Sequence, residues 1–304
     1  MKKLIKRICM IAIAAITVLG CNAQSENKNK EWEGYYSWTD AEHHVYHYWF
    51  EIKHDDGSNC SGKMCEELTQ ASSDYTIVGQ IKGDSMVLKQ TEGFSCGANY
   101  DMDKDEFVSY RDPIDKSLLE TYVITKRNGK YYCILEDGAS EKKERELEFN
   151  PYDVSAKERV ESIYKEMIEL YKQSDDGFAD LSKFNTRDFL SEEYMTLWQK
   201  AEAKYSSEGN EMGYFDYDHW GSMQDPGSGL VEVDVRPWLI KKISDTKEEI
   251  NVSLTFGRKE KGGIIPERSQ DLTLIIVKER DGWFIDNFII DDINEKANME
   301  KYLK

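Results

Sequence analysis

The 304-residue sequence has no excess of positive charge, no run of roughly 20 apolar residues able to cross a membrane, no paired C-x2-C units and no catalytic motif. Each absence excludes something. A formal net charge of -18 makes nucleic acid and anionic lipid poor partners, and leaves a basic protein, a metal ion or a neutral ligand open. The apolar stretch at the start, Ile8 to Leu19, is only about a dozen residues long. Lys2, Lys3, Lys6 and Arg7 precede it and Gly20-Cys21 ends it, which is the layout of a secretory signal and not of a span. From Asn22 to Lys30 no apolar residue is larger than Ala, so that stretch reads as a flexible tether.

Val18-Leu19-Gly20-Cys21 resembles the bacterial lipobox, as in lipoproteins of the Bacteroidetes type. The resemblance implies that residues 1–20 are removed, that Cys21 is lipidated, and that 21–30 tether the chain to the envelope. Asn22 and the sparse acidity after it point to the periplasmic side of an outer membrane. The membrane is then a partner through the anchor only.

Cys60, Cys65, Cys96 and Cys133 all lie in the first half of the chain. Export to an oxidising compartment makes two disulfides the expectation, with Cys60–Cys65 and Cys96–Cys133 favoured among the three connectivities. The spacing is poor for zinc.

Residues 31–150 show β-type patterning. Tyr46, Tyr48, Phe50 and Ile52 alternate along one strand face, and further strands are predicted at Gly34–Thr39, Tyr75–Lys82, Ser85–Gln90, Leu118–Lys126 and Lys130–Glu136. Asn128-Gly129 signals a type I′ hairpin, and Lys82 to Ser85 a second tight turn. With no long helix between them, these strands make an up-and-down barrel or a sandwich. Gly34-Tyr35-Tyr36 and the stretch Ile81 to Leu88 resemble a small lipocalin-like barrel, which implies binding at a barrel mouth. His43 and His47 share a strand face without a third ligand. Asp101, Asp103 and Asp105 resemble the start of an EF-hand calcium loop, but Glu106 stands where Gly is required and Asp112 where a bidentate Glu is. Neither set amounts to a metal site, and no cofactor is expected.

At Pro151 the period changes, and 151–304 reads as a second domain. Ser155 to Glu158 forms a capping box, followed by a helical stripe of Val160, Ile163, Tyr164, Met167, Ile168 and Tyr171. A short helix is predicted around Phe178 to Phe184, and a longer one with Ser191 as N-cap. Alternating strands follow at Val231–Val235 and Ile250–Phe256, then an apolar strand at Leu272–Val277 and, after a turn at Asp281-Gly282, another at Trp283–Ile290. This is an α+β layout, helices packed on a curved antiparallel sheet. The helix through Tyr164 and Tyr171, Leu190 to Trp198, Gln224-Asp225-Pro226, and Val277 to Asp286 resemble the cystatin-like cone of the nuclear-transport-factor-2-like superfamily. Between Ser206 and Gly229 a long loop carries Tyr214, Phe215, Tyr217 and Trp220 among Asp216, Asp218, His219 and Asp225. It is either a ligand-binding lid or a plug whose aromatics fill the core.

The expectation is a non-enzymatic envelope lipoprotein of two domains, binding a small apolar molecule or a basic protein, in the latter case as an inhibitor or immunity protein. The rivals are an enzyme of the ketosteroid-isomerase or dehydratase kind and a purely structural assembly subunit.

Overall fold

The computed structural model describes residues 29–40, 46–67, 71–101, 106–135, 144–172, 186–210, 213–214, 220, 229–260, 263–291 and 293–304. The chain divides into two compact units, Met1–Val154 and Ser155–Lys304. Cys21 and the predicted short helix around Phe178 to Phe184 lie outside the described residues.

The first unit consists of β1 (Gly34–Asp40), β2 (Tyr46–His54), β3 (Asn59–Glu67), β4 (Ala71–Lys82), β5 (Ser85–Asp101), β6 (Glu106–Pro113), β7 (Thr121–Arg127), β8 (Lys130–Leu135) and β9 (Glu144–Pro151). All pairings are antiparallel. The sheet runs β4-β3-β2-β1-β9-β8-β7-β5, and β4 also pairs with β5, so eight strands close into a barrel with β6 hung on the far half of β5. Closure leaves those eight strands without a free edge. A register shift opposite Thr76 and Ile77 bulges β5 at Thr91. Before the bulge β5 pairs with β7 through Ser85 to Lys89, and beyond it with β6 through Phe94 to Asp101. An extra residue on one strand bends it, and beyond the bend β5 leaves β7 for β6 while staying paired with β4 through Gly97.

Strict alternation fills the interior. In β2, Phe50 and Ile52 are buried and Tyr48 packs on the same cluster, the face that the alternating sequence pattern indicates. Tyr36, Met64, Ile77, Ile81, Met86, Leu88, Ile124, Tyr131 and Leu147 complete a side-chain-filled core. One end is shut by tight turns: Gly83 at φ 63°, and Asn128 and Gly129 at φ 52° and 78°, both positive as a type I′ hairpin requires. Trp32, 1% exposed, plugs that end, edge-on to Tyr131 at 5.3 Å, with its carbonyl accepting from Tyr36 Oη at 2.6 Å.

The second unit holds α1 (Val154–Lys172), α2 (Glu192–Ser207), β10 (Gly229–Val235), β11 (Lys241–Ser244), β12 (Lys247–Glu260), β13 (Gly263–Glu279), β14 (Gly282–Ile290), β15 (Ile293–Asn294) and α3 (Glu295–Leu303). Its sheet runs β10-β12-β13-β14-β15, with β11 beside β12. The stripe of α1 is buried throughout. That helix starts at Val154, one residue before the predicted cap. Ser155 therefore lies inside the helix, and its hydroxyl accepts from Trp283 Nε1 at 3.1 Å. Ser191 caps α2 as predicted, its Oγ accepting from the Tyr194 N–H at 3.0 Å while donating to Asp286 at 2.7 Å. The turn into β14 sits one residue earlier than its sequence signal, with Arg280 and Asp281 at φ 48° and 61°. The sequence pattern left α3 unmarked, because its one clear start signal, Asn294 accepting from the Ala297 N–H, precedes a weakly apolar helix.

Candidate functional site

The barrel end opposite Trp32 is where β1, β3 and β8 finish and β2, β4, β7 and β9 begin. Its interior positions differ in chemistry from the packed core below. Met64 points inward, so Glu66, two residues on in β3, points inward too. Glu66 is the cross-strand partner of Tyr48, and Tyr48 that of Trp38, so β1, β2 and β3 present one row of Trp38, Tyr48 and Glu66. The Trp38 and Tyr48 rings stack at 4.6 Å, 5° from parallel.

A second carboxylate approaches from the segment before β7. Tyr122 Oη donates to Glu120 Oε2 at 2.7 Å, and Tyr75 Oη, from β4, reaches Glu66 Oε2 at 3.4 Å. Gln90, 1% exposed, ties the group together. Its Oε1 accepts from the Glu120 N–H at 2.8 Å, and its Nε2 lies 3.3 Å from Tyr122 Oη and 3.4 Å from Met64 Sδ. Burial, and after it the Glu120 charge, push the Glu66 carboxyl up from 4.5 to about 7, against the Tyr75 hydrogen bond that lowers it. Burial and then the Glu66 charge push Tyr75 up to about 12, and burial raises Tyr122 as well. The result is a carboxyl, Glu66, that holds its proton toward neutral pH beside an aromatic wall.

The sequence signal for this end was partial. Tyr48 and Tyr75 stood on predicted inward faces, whereas Glu66, Gln90 and Glu120 carried no mark. The one available hint for Glu66 is its place on the same alternation as Cys60 and Met64.

Of the residues singled out in the second unit, two are described, and both pack. Tyr214 sits 5.0 Å from Tyr302 and 5.9 Å from Tyr205, its N–H donating to Glu202 at 2.8 Å. Burial, then the Glu295 charge, raise its phenol. Trp220 is buried edge-on against Phe288 at 5.1 Å, and its carbonyl accepts from Tyr164 Oη at 3.3 Å. Phe215, Tyr217, Asp218, His219 and Asp225 lie outside the described residues. Two carboxylates that the sequence did not mark are fully buried in this unit: Glu295, which accepts from Tyr194 Oη, and Glu248, on the same strand face as Ile250 and Val252.

The cysteine expectation is overturned: Cys60, Cys65, Cys96 and Cys133 are free thiols. Cys60 and Cys65 are an odd number of residues apart in β3, so they face opposite sides of the wall, roughly 16 Å apart along the strand. Cys133 points into the core, while Cys96 lies on the outer face against Arg111 Nη1 at 3.1 Å. Burial pushes Cys60 and Cys133 up to about 12. Cys65 and Cys96 flank Asp74, but β4 runs between their strands, a spacing of about 9.6 Å that exceeds disulfide reach.

Asp101 ends β5 in a hairpin paired to Glu106, and Asp103 and Asp105 fall outside the described residues. His47 contacts Tyr35 Oη at 3.4 Å and Glu67 at 3.8 Å, while His43 is not described. Among the described residues no group of three or more His, Cys, Asp or Glu is placed to hold a metal ion, and no helix is long and apolar enough to cross a membrane.

No family model and no curated protein matches the chain. One solved structure, described as an Ntf2 like protein involved in plasmid conjugation, is similar at 10% identity over 85% of this chain and 79% of that one. Its TM-score of 0.26 is too low to carry an argument about fold or function.

Proposed function

We propose that this chain is an envelope lipoprotein anchored through Cys21, and that its barrel is a lipocalin-like binding module taking a small molecule at the end opposite Trp32. The observation that supports this reading is the gathering of Trp38, Tyr48, Glu66, Tyr75, Gln90 and Glu120 at one end, above a core filled by side chains, while Trp32 plugs the far end. Partly burying a carboxyl costs stability unless something offsets it, and a ligand is one such offset. The filled core argues for a ligand held at the mouth, not one swallowed whole.

The test is native mass spectrometry of the full chain extracted from its membrane in detergent. A small-molecule adduct carried by the wild type and lost in Tyr48→Ala is expected. An adduct unchanged in that variant, or none from any extract, rejects the reading. The same spectra report the anchor, since a lipid mass on Cys21 should vanish in Cys21→Ser.

A second reading places chemistry in the second unit, as a cone of the nuclear-transport-factor-2-like kind. It is favoured by the fully buried Glu248 and Glu295, the latter joined to Tyr194, since a carboxyl held in apolar surroundings is what isomerase chemistry of this kind needs. Proton exchange at the carbon next to a ketone, present in the wild type and absent in Glu295→Gln, would support it.

A further inference from the structure

We propose that Glu33 is a pH-responsive latch at the plugged end of the barrel, fastening residues 29–33 to the chain that leaves β9 at Asp153 and Val154 in acid and slackening as pH rises through neutrality.

The geometry is that of a carboxyl seated away from water. Glu33 comes directly after the Trp32 plug and is 7% exposed. Its Oε1 accepts from the N–H of Val154, the last residue of the first unit, at 3.1 Å. Val154 is itself buried, and as the first residue of α1 it has no carbonyl within its own helix to take that N–H. Each group therefore depends on the other. The two segments are also pressed together. Gly34 stands at φ 144°, and a Cβ there would lie 2.3 Å from the Asn150 carbonyl oxygen, so solvent has no ready way in while the latch is seated.

The surrounding charges do not relieve this burial. Those acting on Glu33 are Asp153 beside Val154, Lys30 in its own turn and Lys53 on β2. Asp153, the strongest of them, opposes ionisation, and among the described residues no Lys or Arg forms an ion pair with Glu33. Glu51, on the same face of β2 as Lys53, is taken by Tyr152 Oη. Burial, and after it Asp153, push the Glu33 carboxyl up from 4.5 to about 7, against the Val154 hydrogen bond and the two lysines. Opened to water, the same carboxyl ionises near 4.5. The seated form thus binds the proton more tightly than the open one. Its hold is complete below about pH 4.5 and is lost progressively up to about pH 7.

The other side of the latch stays in place. Trp32 is held by Tyr36 Oη on its carbonyl and by the Tyr131 ring, and the Glu31 carbonyl accepts from Tyr131 Oη at 3.3 Å. Burial moves both phenols further above neutral pH, so these ties do not change in that window. Opening falls on the segment that leaves β9.

The test is residue-resolved hydrogen exchange of the full chain from pH 5 to pH 8, each rate divided by the intrinsic rate at that pH. We expect opening at the Val154 amide to rise at least about 10-fold from pH 5 to pH 7 and to level off above it. In Glu33→Gln, which keeps the shape and the acceptor, that rise should be absent. Asp153→Asn should bring the levelling to lower pH, since the charge that opposes ionisation is gone. The Tyr122 and Ile124 amides of β7 report opening of the barrel as a whole. A Val154 profile flat with pH, the same rise in Glu33→Gln, or a rise shared equally by Tyr122 and Ile124 overturns the inference.

Discussion

Replacing Glu66 by Gln should stabilise the protein above neutral pH and leave it unchanged in acid. The folded chain holds the Glu66 proton up to about pH 7, while the unfolded chain releases it near 4.5. Between those values the folded state binds more protons than the unfolded one, so stability falls as pH rises through that window. A shift of about 2.5 units at 1.36 kcal/mol each sets a ceiling of about 3 kcal/mol on the cost at pH 8, and water reaching the half-buried carboxyl reduces it. Gln keeps the shape and still accepts from Tyr75 Oη, so the variant removes the ionisation and little else. Urea melts of the wild type and Glu66→Gln from pH 4.5 to pH 8.5 give the difference directly. Glu33, which burial and Asp153 also push up to about 7, is present in both and cancels. The curves should coincide near pH 4.5 and part by about 1–3 kcal/mol at pH 8. A difference that is flat with pH, or that grows toward acid, would refute the buried carboxyl pair.

Trp32→Ala should cost about 3–5 kcal/mol by emptying the plugged end, read as a lower urea midpoint with the same slope. Gly62→Ala would place a Cβ 1.9 Å from the Glu51 carbonyl oxygen, so β2 must shift, and a loss of at least about 2 kcal/mol in thermal melts is expected. Iodoacetamide without reductant should label Cys96 alone among Cys60, Cys65, Cys96 and Cys133 in the native chain, and all of them after unfolding; peptide mapping would reveal any disulfide as a site that stays unlabelled until reduced. Ser191→Ala removes both the α2 cap and a hydrogen bond to buried Asp286, for a loss of about 1–3 kcal/mol by chemical denaturation.

The strand pattern of the first half was legible because one wall faces a core and the other faces outward, and that asymmetry writes itself into alternate residues. Tyr48, Phe50 and Ile52 show it, and Asn128-Gly129 gives a turn that needs only local φ values. Ser191 was legible for a similar reason, since a cap is satisfied within three residues. The disulfide expectation failed because cysteine count and compartment say nothing of which side of a strand a thiol faces. Ser155, expected as the cap, is instead the second residue of the helix, a displacement that a cap motif cannot resolve when the chain can enter the helix earlier. Of the long loop in the second unit, Tyr214 and Trp220 pack against Tyr302 and Phe288, partners from the far end of the chain that no local pattern names.

The local code of this chain therefore determined many of its strands, its tight turns and the two longer helices, because periodicity, turn chemistry and caps act over a few residues, while β3, β6, β9 and β11 carried no such mark. Tertiary structure alone decided that β1 meets β9 within the closed barrel, that the Glu120 charge bears on the Glu66 carboxyl, and that Gln90 bonds to the Glu120 backbone and to Tyr122. Those are contacts between strands distant in sequence. Each depends on register and on the bulge at Thr91, which no single segment encodes, and a one-residue slip in any of them would turn Glu66 out to solvent.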